Sequence, residues 1–189
     1  IEAIVNSGTK INIDYYIGEV IDDEKEILPN LMQKEAMSSL ASIRTERKNR
    51  ALLISATGTG KTYLAAFDVQ QFKPKRFLFL VHRETIARKT ESSFREILGE
   101  SISTGFFIGS ERSIDAQYVF GMIQTISRDD VLPNIDPNTF DYIVIDEVHR
   151  SGAASYQKVI NYFNPNFLLG LTATPERTDG FDIYSLFNH

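Results

Sequence analysis

From Ala51 onward the chain alternates short apolar runs with stretches of helical periodicity, and no other feature restricts its fold as much. The runs at 51–55, 77–81, 118–122, 142–146 and 167–172 have the length of strands, and helical spacing marks 61–72, 84–98, 123–131 and 153–163 between them. Strands that are apolar on both sides and separated by helices belong in a parallel sheet covered on both faces. The expected class is therefore α/β, a three-layer α/β/α arrangement with a mainly parallel sheet. Ahead of it, 31–48 carries apolar residues at 31, 32, 36, 37, 40 and 43, the stripe of an amphipathic helix. Residues 1–27 read as a strand-like segment alternating over Ile11, Ile13 and Tyr15, then an acidic stretch at 22–26. That segment is expected to be an N-terminal extension or a linker from a preceding domain, with 28–189 forming the domain proper. The start at Ile1 without a Met points to an excised piece of a longer chain.

At 189 residues, 42% hydrophobic and 24% charged, the chain can bury a real core. It has no cysteine, which excludes disulfides, thiolate catalysis and cysteine zinc sites, and its histidines at 82, 149 and 189 are too scattered for a metal cluster. Its apolar runs are too short to span a bilayer, and no secretory signal opens it, so a cytoplasmic protein without membrane contact is expected. The net charge of −5 comes from residues 1–30; 31–189 is balanced, and 73–95 carries seven basic residues against Glu84 and Glu91. Such a run is either a solvated face or a surface for polyanions.

Two motifs carry chemistry. Ser55-Ala56-Thr57-Gly58-Thr59-Gly60-Lys61-Thr62 follows a strand and opens a helix, matching the phosphate-binding loop except for Ser55 at its first glycine position. Gly58 and Gly60 let the backbone N–H groups of Thr57 to Lys61 face phosphate oxygens at the positive end of a helix dipole. Lys61 would neutralise β- and γ-phosphate charge, and Thr62 would place its hydroxyl on Mg²⁺. The second motif is the apolar strand 142–145, which ends in Asp146-Glu147. It delivers two carboxylates to the sheet's carboxyl edge, where Asp146 can hold Mg²⁺ and Glu147 can polarise a water attacking the γ-phosphate. Together the motifs point to nucleoside triphosphate hydrolysis.

Asp146-Glu147-Val148-His149 resembles the Asp-Glu-x-His box of superfamily 2 helicases, and Thr172-Ala173-Thr174-Pro175 resembles their motif III. Gln33 lies where these proteins place an adenine-reading glutamine, Val81-His82-Arg83 looks like motif Ia, and Gly121–Ile126 occupies the place of a further nucleic-acid motif. Across 28–180 the order fits the superfamily, and the sequences around Lys61 and Thr172 most resemble type I and type III restriction-enzyme motors. The resemblance implies a RecA-like P-loop NTPase lobe of an ATP-dependent helicase or translocase, with ATP and Mg²⁺ as cofactors. Glu147, Lys61 and Asp146 would be catalytic, and His149, Thr172 and Thr174 would couple the nucleotide to movement. Arg83, Gln124 and Thr125 would touch nucleic acid, DNA more than RNA, through its phosphate backbone.

In that superfamily ATP lies between two RecA-like lobes, and the second supplies an arginine finger. The chain reads as the helicase ATP-binding domain's first lobe alone, its parent carrying the second and, as in some relatives, a fused nuclease domain. The alternative is a nucleotide-binding interaction module in which ATP acts as a switch; Glu147 argues against it. A GTP switch would need a guanine-reading Asn-Lys-x-Asp, which the chain lacks.

Overall fold

The computed structural model describes residues 2–4, 10–12, 26–56, 58–148, 154–173 and Phe187. Near the start, β1 (Glu2–Ile4) and β2 (Lys10–Asn12) form an antiparallel pair; Ile13 and Tyr15 of the expected alternation lie outside the described residues. Helix α1 (Leu31–Thr45) begins at Asn30, whose side chain accepts from the Gln33 backbone N–H while the Gln33 side-chain Oε1 accepts from the Asn30 N–H, both at 2.9 Å. This reciprocal pair satisfies two helix-end donors at once.

The sheet proper has seven strands: β3 (Arg50–Ile54), β4 (Phe77–Val81), β5 (Thr104–Ile108), β6 (Glu111–Arg112), β7 (Tyr118–Met122), β8 (Tyr142–Ile145) and β9 (Phe167–Thr172). Their order is β3-β9-β8-β4-β7-β5-β6, parallel throughout except for β6, which pairs antiparallel with β5 at one edge. Helices α2 (Lys61–Phe72), α3 (Glu84–Leu98), α4 (Ile123–Ile126) and α5 (Ala154–Tyr162) make the connections.

Successive strand side chains point to opposite faces, and the core divides accordingly. Phe77, Phe79 and Val81 pack with Phe120, Val144 and Leu169 beneath α1, α2 and α3. Leu78 and Leu80 pack with Val119, Ile143 and Leu168 against α4, α5 and Phe187. The expected three-layer architecture is the one observed. A Cβ on Gly170 would lie 2.6 Å from the Phe187 ring, so this glycine makes room for the aromatic cover. Among the described residues no helix is long and apolar enough to cross a membrane.

Two expectations need correction. The helix expected over 123–131 stops at Ile126 with Ser127 as its cap, and Leu132–Asn134 forms a separate 3₁₀ turn. Ser127, Asp129 and Asp130 are poor helix formers, Arg128 pairs with Asp130 rather than along a helix, and Pro133 sits at the start of the 3₁₀ turn, where its missing N–H costs nothing. The strands β5 and β6 had no counterpart in the sequence reading. Gly105 interrupts the apolar signal of β5, and it is required there, because a Cβ would meet the Ser113 carbonyl oxygen at 2.3 Å.

Candidate nucleotide and nucleic-acid site

Because the central strands are parallel, every loop following a strand opens at one edge of the sheet. Across that edge stand the phosphate loop after β3, Thr172 ending β9, Asp146 and Glu147 after β8, His82 and Arg83 after β4, and Gln124 and Thr125 after β7. Sequence order scatters these residues over more than a hundred positions, and the strand order gathers them into a row.

The loop explains its own departure from the general pattern. The Ser55 and Thr59 hydroxyls lie 2.7 Å apart, and the Thr59 hydroxyl donates to the Ala56 carbonyl at 2.8 Å. Ser55 thus ties the base of the loop, and its N–H donates to the Thr172 carbonyl at 2.9 Å, joining loop to β9. Gly58 and Gly60 adopt φ of 80° and 78°, the left-handed region that favours glycine. Helix α2 starts at Gly60 with no side-chain cap, so its first N–H groups are left for an anion. The Lys61 ammonium donates to the Ser55 and Ala56 carbonyls, both at 2.8 Å, which holds it across the loop mouth with a third N–H in reserve. Thr57 lies outside the described residues.

Gly58, Gly60, Lys61, Thr62 and Asp146 line one cavity of about 480 Å³. The Asp146 carboxyl is pushed above its ordinary pKa, chiefly by burial, although it accepts the Glu147 N–H at 2.9 Å and feels the Lys61 charge. A carboxylate that burial destabilises, beside a hydroxyl and a phosphate loop, suits a divalent cation held jointly with phosphate oxygens. On the other side of the loop a cavity of about 250 Å³ is lined by Met32, Gln33, Ala36, Ile54 and Thr59 among others. Its apolar walls Met32 and Ile54 are 65% and 45% exposed. Gln33 is only 7% exposed, and its side-chain N–H₂ donates to the Gly60 carbonyl at 3.2 Å. The glutamine therefore links the start of α1 to the phosphate loop, a second role that the sequence did not reveal.

Glu147 has φ of 50°, one of three non-glycine residues among those described with positive φ. Residues held in that region cost on the order of 1–3 kcal/mol each and collect at functional sites. Its carboxylate lies 2.9 Å from His82 Nδ1, a pairing invisible in the sequence because it joins residues 65 positions apart on neighbouring strands. Thr172 is fully buried at the end of β9; its expected coupling partners His149 and Thr174 lie outside the described residues.

The expected nucleic-acid residues separate. Arg83 and Gln124 are exposed, whereas Thr125 is buried within α4. The basic run 73–95 does not make one surface. Lys73 and Lys75 sit at the opposite edge of the sheet, Arg88 pairs with Glu84 and Glu111, and Arg95 pairs with Glu91. Arg83 follows β4 at the loop-bearing edge, and Lys89 of α3 lines the cavity that holds Lys61 and Asp146.

A family model described as "Type III restriction enzyme, res subunit" matches residues 26–177. The chain belongs to that family. It has the fold of a RecA-like lobe with a phosphate loop. The type I restriction enzyme EcoAI endonuclease subunit of Escherichia coli is 32% identical over 182 residues, covering 89% of this chain and 21% of that protein. The DNA 3'-5' translocase XPB2 of Sulfurisphaera tokodaii is 28% identical over 134 residues, covering 71% of this chain and 29% of that protein. The chain thus spans less than a third of either relative's length. The Sulfolobus solfataricus SWI2/SNF2 ATPase core, solved with double-stranded DNA, shares the fold at a TM-score of 0.68 and 16% identity, over 86% of this chain and 36% of its own. A nuclease-deletion mutant of the type ISP restriction-modification enzyme LlaGI, solved with a DNA substrate mimic, does so at 0.63 and 20%, over 81% and 18%.

Proposed function

We propose that this lobe binds and hydrolyses ATP within a DNA helicase or translocase of the restriction-enzyme kind, and that hydrolysis drives movement on nucleic acid. The observation that carries the reading is the convergence of Lys61, Thr62 and Asp146 on one cavity, with Glu147 beside it at the same sheet edge. Lys61 would exchange its loop carbonyls for phosphate oxygens, and the uncapped N–H groups of α2 would take the rest of the phosphate charge. Thr62 and Asp146 would hold Mg²⁺, which when bound neutralises charge on the β- and γ-phosphates. Glu147 would orient the attacking water and accept its proton.

Gln33, between the apolar walls of the second cavity, would read the adenine edge. His149, Thr172 and Thr174 would pass the state of the nucleotide toward Arg83 and Gln124, which would hold the sugar–phosphate backbone without reading bases. A second RecA-like lobe in the parent would close over ATP and bring an arginine finger, worth on the order of 10³–10⁵ in rate in related phosphoryl transfers. A nuclease domain in the same parent fits the endonuclease subunit among the relatives. Residues 1–27 would serve as a linker, and the setting would be cytoplasmic.

The test is the ATPase rate of the whole protein carrying this lobe, measured with single-stranded DNA, duplex DNA and RNA. DNA-stimulated turnover is expected. A rate indifferent to every nucleic acid would leave a nucleotide-binding interaction module.

A further inference from the structure

The strand order sets the nucleotide residues and the nucleic-acid residues side by side, with β8 ending the first group and β4 beginning the second. A hydrogen bond from the Asp146 N–H to the Leu80 carbonyl, 2.9 Å, carries this seam one residue past the last ladder pair. There the His82 ring meets the Glu147 carboxylate at 2.9 Å, the two side chains 11% and 35% exposed. His82 is flanked by buried Val81 and by exposed Arg83, which caps the start of α3. A shift of the 82–83 backbone under a bound phosphodiester would therefore move the imidazole directly.

Asp146 lines the phosphate cavity, whereas Glu147, turned by its positive φ, meets β4 on the side of β8 away from the phosphate loop. We propose that His82 is a positioning residue that holds the Glu147 carboxylate away from the attacking water until nucleic acid engages Arg83. The proposal rests on the hydrolytic reading of Glu147 given above. It names a contact, between the residue before the phosphodiester-binding arginine and the water-activating carboxylate, through which nucleic acid would set the rate. His82 donates through Nδ1, and a hydrogen bond to a carboxylate of this kind shifts a two-state balance by about tenfold or more.

The experiment uses the whole protein with His82→Ala, which removes the donor, and His82→Asn, whose side-chain N–H₂ falls near the position of Nδ1. Steady-state ATPase is measured with and without DNA, and Mg²⁺–ATP affinity by calorimetry. His82→Ala is expected to raise the DNA-free kcat about tenfold and to bring the ratio of stimulated to unstimulated rate toward one, with ATP affinity unchanged. His82→Asn should restore a low DNA-free rate. An unchanged ratio in His82→Ala, a proportional loss of both rates, or a loss of ATP affinity would each overturn the proposal. Absence of DNA stimulation in the unmodified protein would instead strike the hydrolytic motor reading itself.

Discussion

At the amino edge of the sheet, Asp68 is fully buried, yet its carboxylate takes two bonds from Arg44, at 2.8 and 2.6 Å, and one from the Tyr142 hydroxyl at 2.6 Å. Arg44 also lies over the rings of Phe72 and Phe167, so its charge is met by π-faces as well. Burial, with the Asp68 charge added, pushes the Tyr142 phenol well above its ordinary pKa and keeps it a donor. At the carboxyl edge the groups are held differently. Lys61 rests on loop carbonyls, Asp146 is a carboxyl that burial opposes, Glu147 holds a positive φ, and α2 starts uncapped. One edge has closed its electrostatics internally and locks three elements together; the other keeps uncapped N–H groups and backbone strain, which in the proposed function would meet phosphate charge.

The sharpest way to break this contrast is at the closed edge. Asp68→Ala leaves the Arg44 guanidinium and a buried hydroxyl without their acceptor, and removing one partner of a buried pair costs about 3–5 kcal/mol. Chemical denaturation should show a loss of that size with the mutant's ATP site unaltered in its folded fraction. A loss under 1 kcal/mol would mean that water replaces the acceptor and that the edge is not closed.

The open edge should respond with the opposite sign. In nucleotide-free and metal-free protein, Asp146→Asn removes a charge that burial opposes, and relief of this kind at functional sites gains about 1 kcal/mol of stability. Since the folded pKa of Asp146 is raised, its share of stability is full below the ordinary carboxylate range and is lost as pH climbs through the raised value. The advantage of Asp146→Asn in melting temperature should therefore grow from acid to neutral pH and vanish at low pH. Equal melting curves at neutral pH would contradict the burial argument.

The effect at Gln33 is the most selective. Gln33→Ala removes a bond to Gly60 and half of the cap at Asn30, so all triphosphates should bind a few-fold less well. Adenine nucleotides should lose roughly tenfold, through the adenine edge itself. Titration of the unmodified protein with ATP and GTP checks it first, since equal affinity would remove the adenine role.

What could be read in advance followed from local grammar. The phosphate loop and the Asp146-Glu147 strand end announce their place after β3 and β8 in a few adjacent residues, and apolar runs of five or six announce buried strands. What escaped was set by tertiary neighbours. Arg44, Asp68 and Tyr142 lie on three elements, and each alone reads as an ordinary helix or strand residue. His82 and Glu147 meet only because β4 and β8 are neighbours in a sheet whose order the sequence does not state. The basic run 73–95 left two readings open because charge was counted along the chain, while the chain crosses from one edge of the sheet to the other and back down α3. Gly105 misled in a different way, since a backbone requirement there outweighed hydrophobic pattern.

The division of labour at the open edge is the central claim, and one calorimetric titration with Mg²⁺–ATP, run beside a turnover assay, tests it most directly. In the proposed function Lys61 would act on phosphates already present in the ground state, whereas Glu147 would act on the water that attacks in the transition state. Lys61→Ala should therefore abolish ATP binding, and Glu147→Gln should retain binding close to that of the unmodified protein while turnover stops. Equal loss of nucleotide affinity in the two variants, or turnover surviving in Glu147→Gln, would contradict the account.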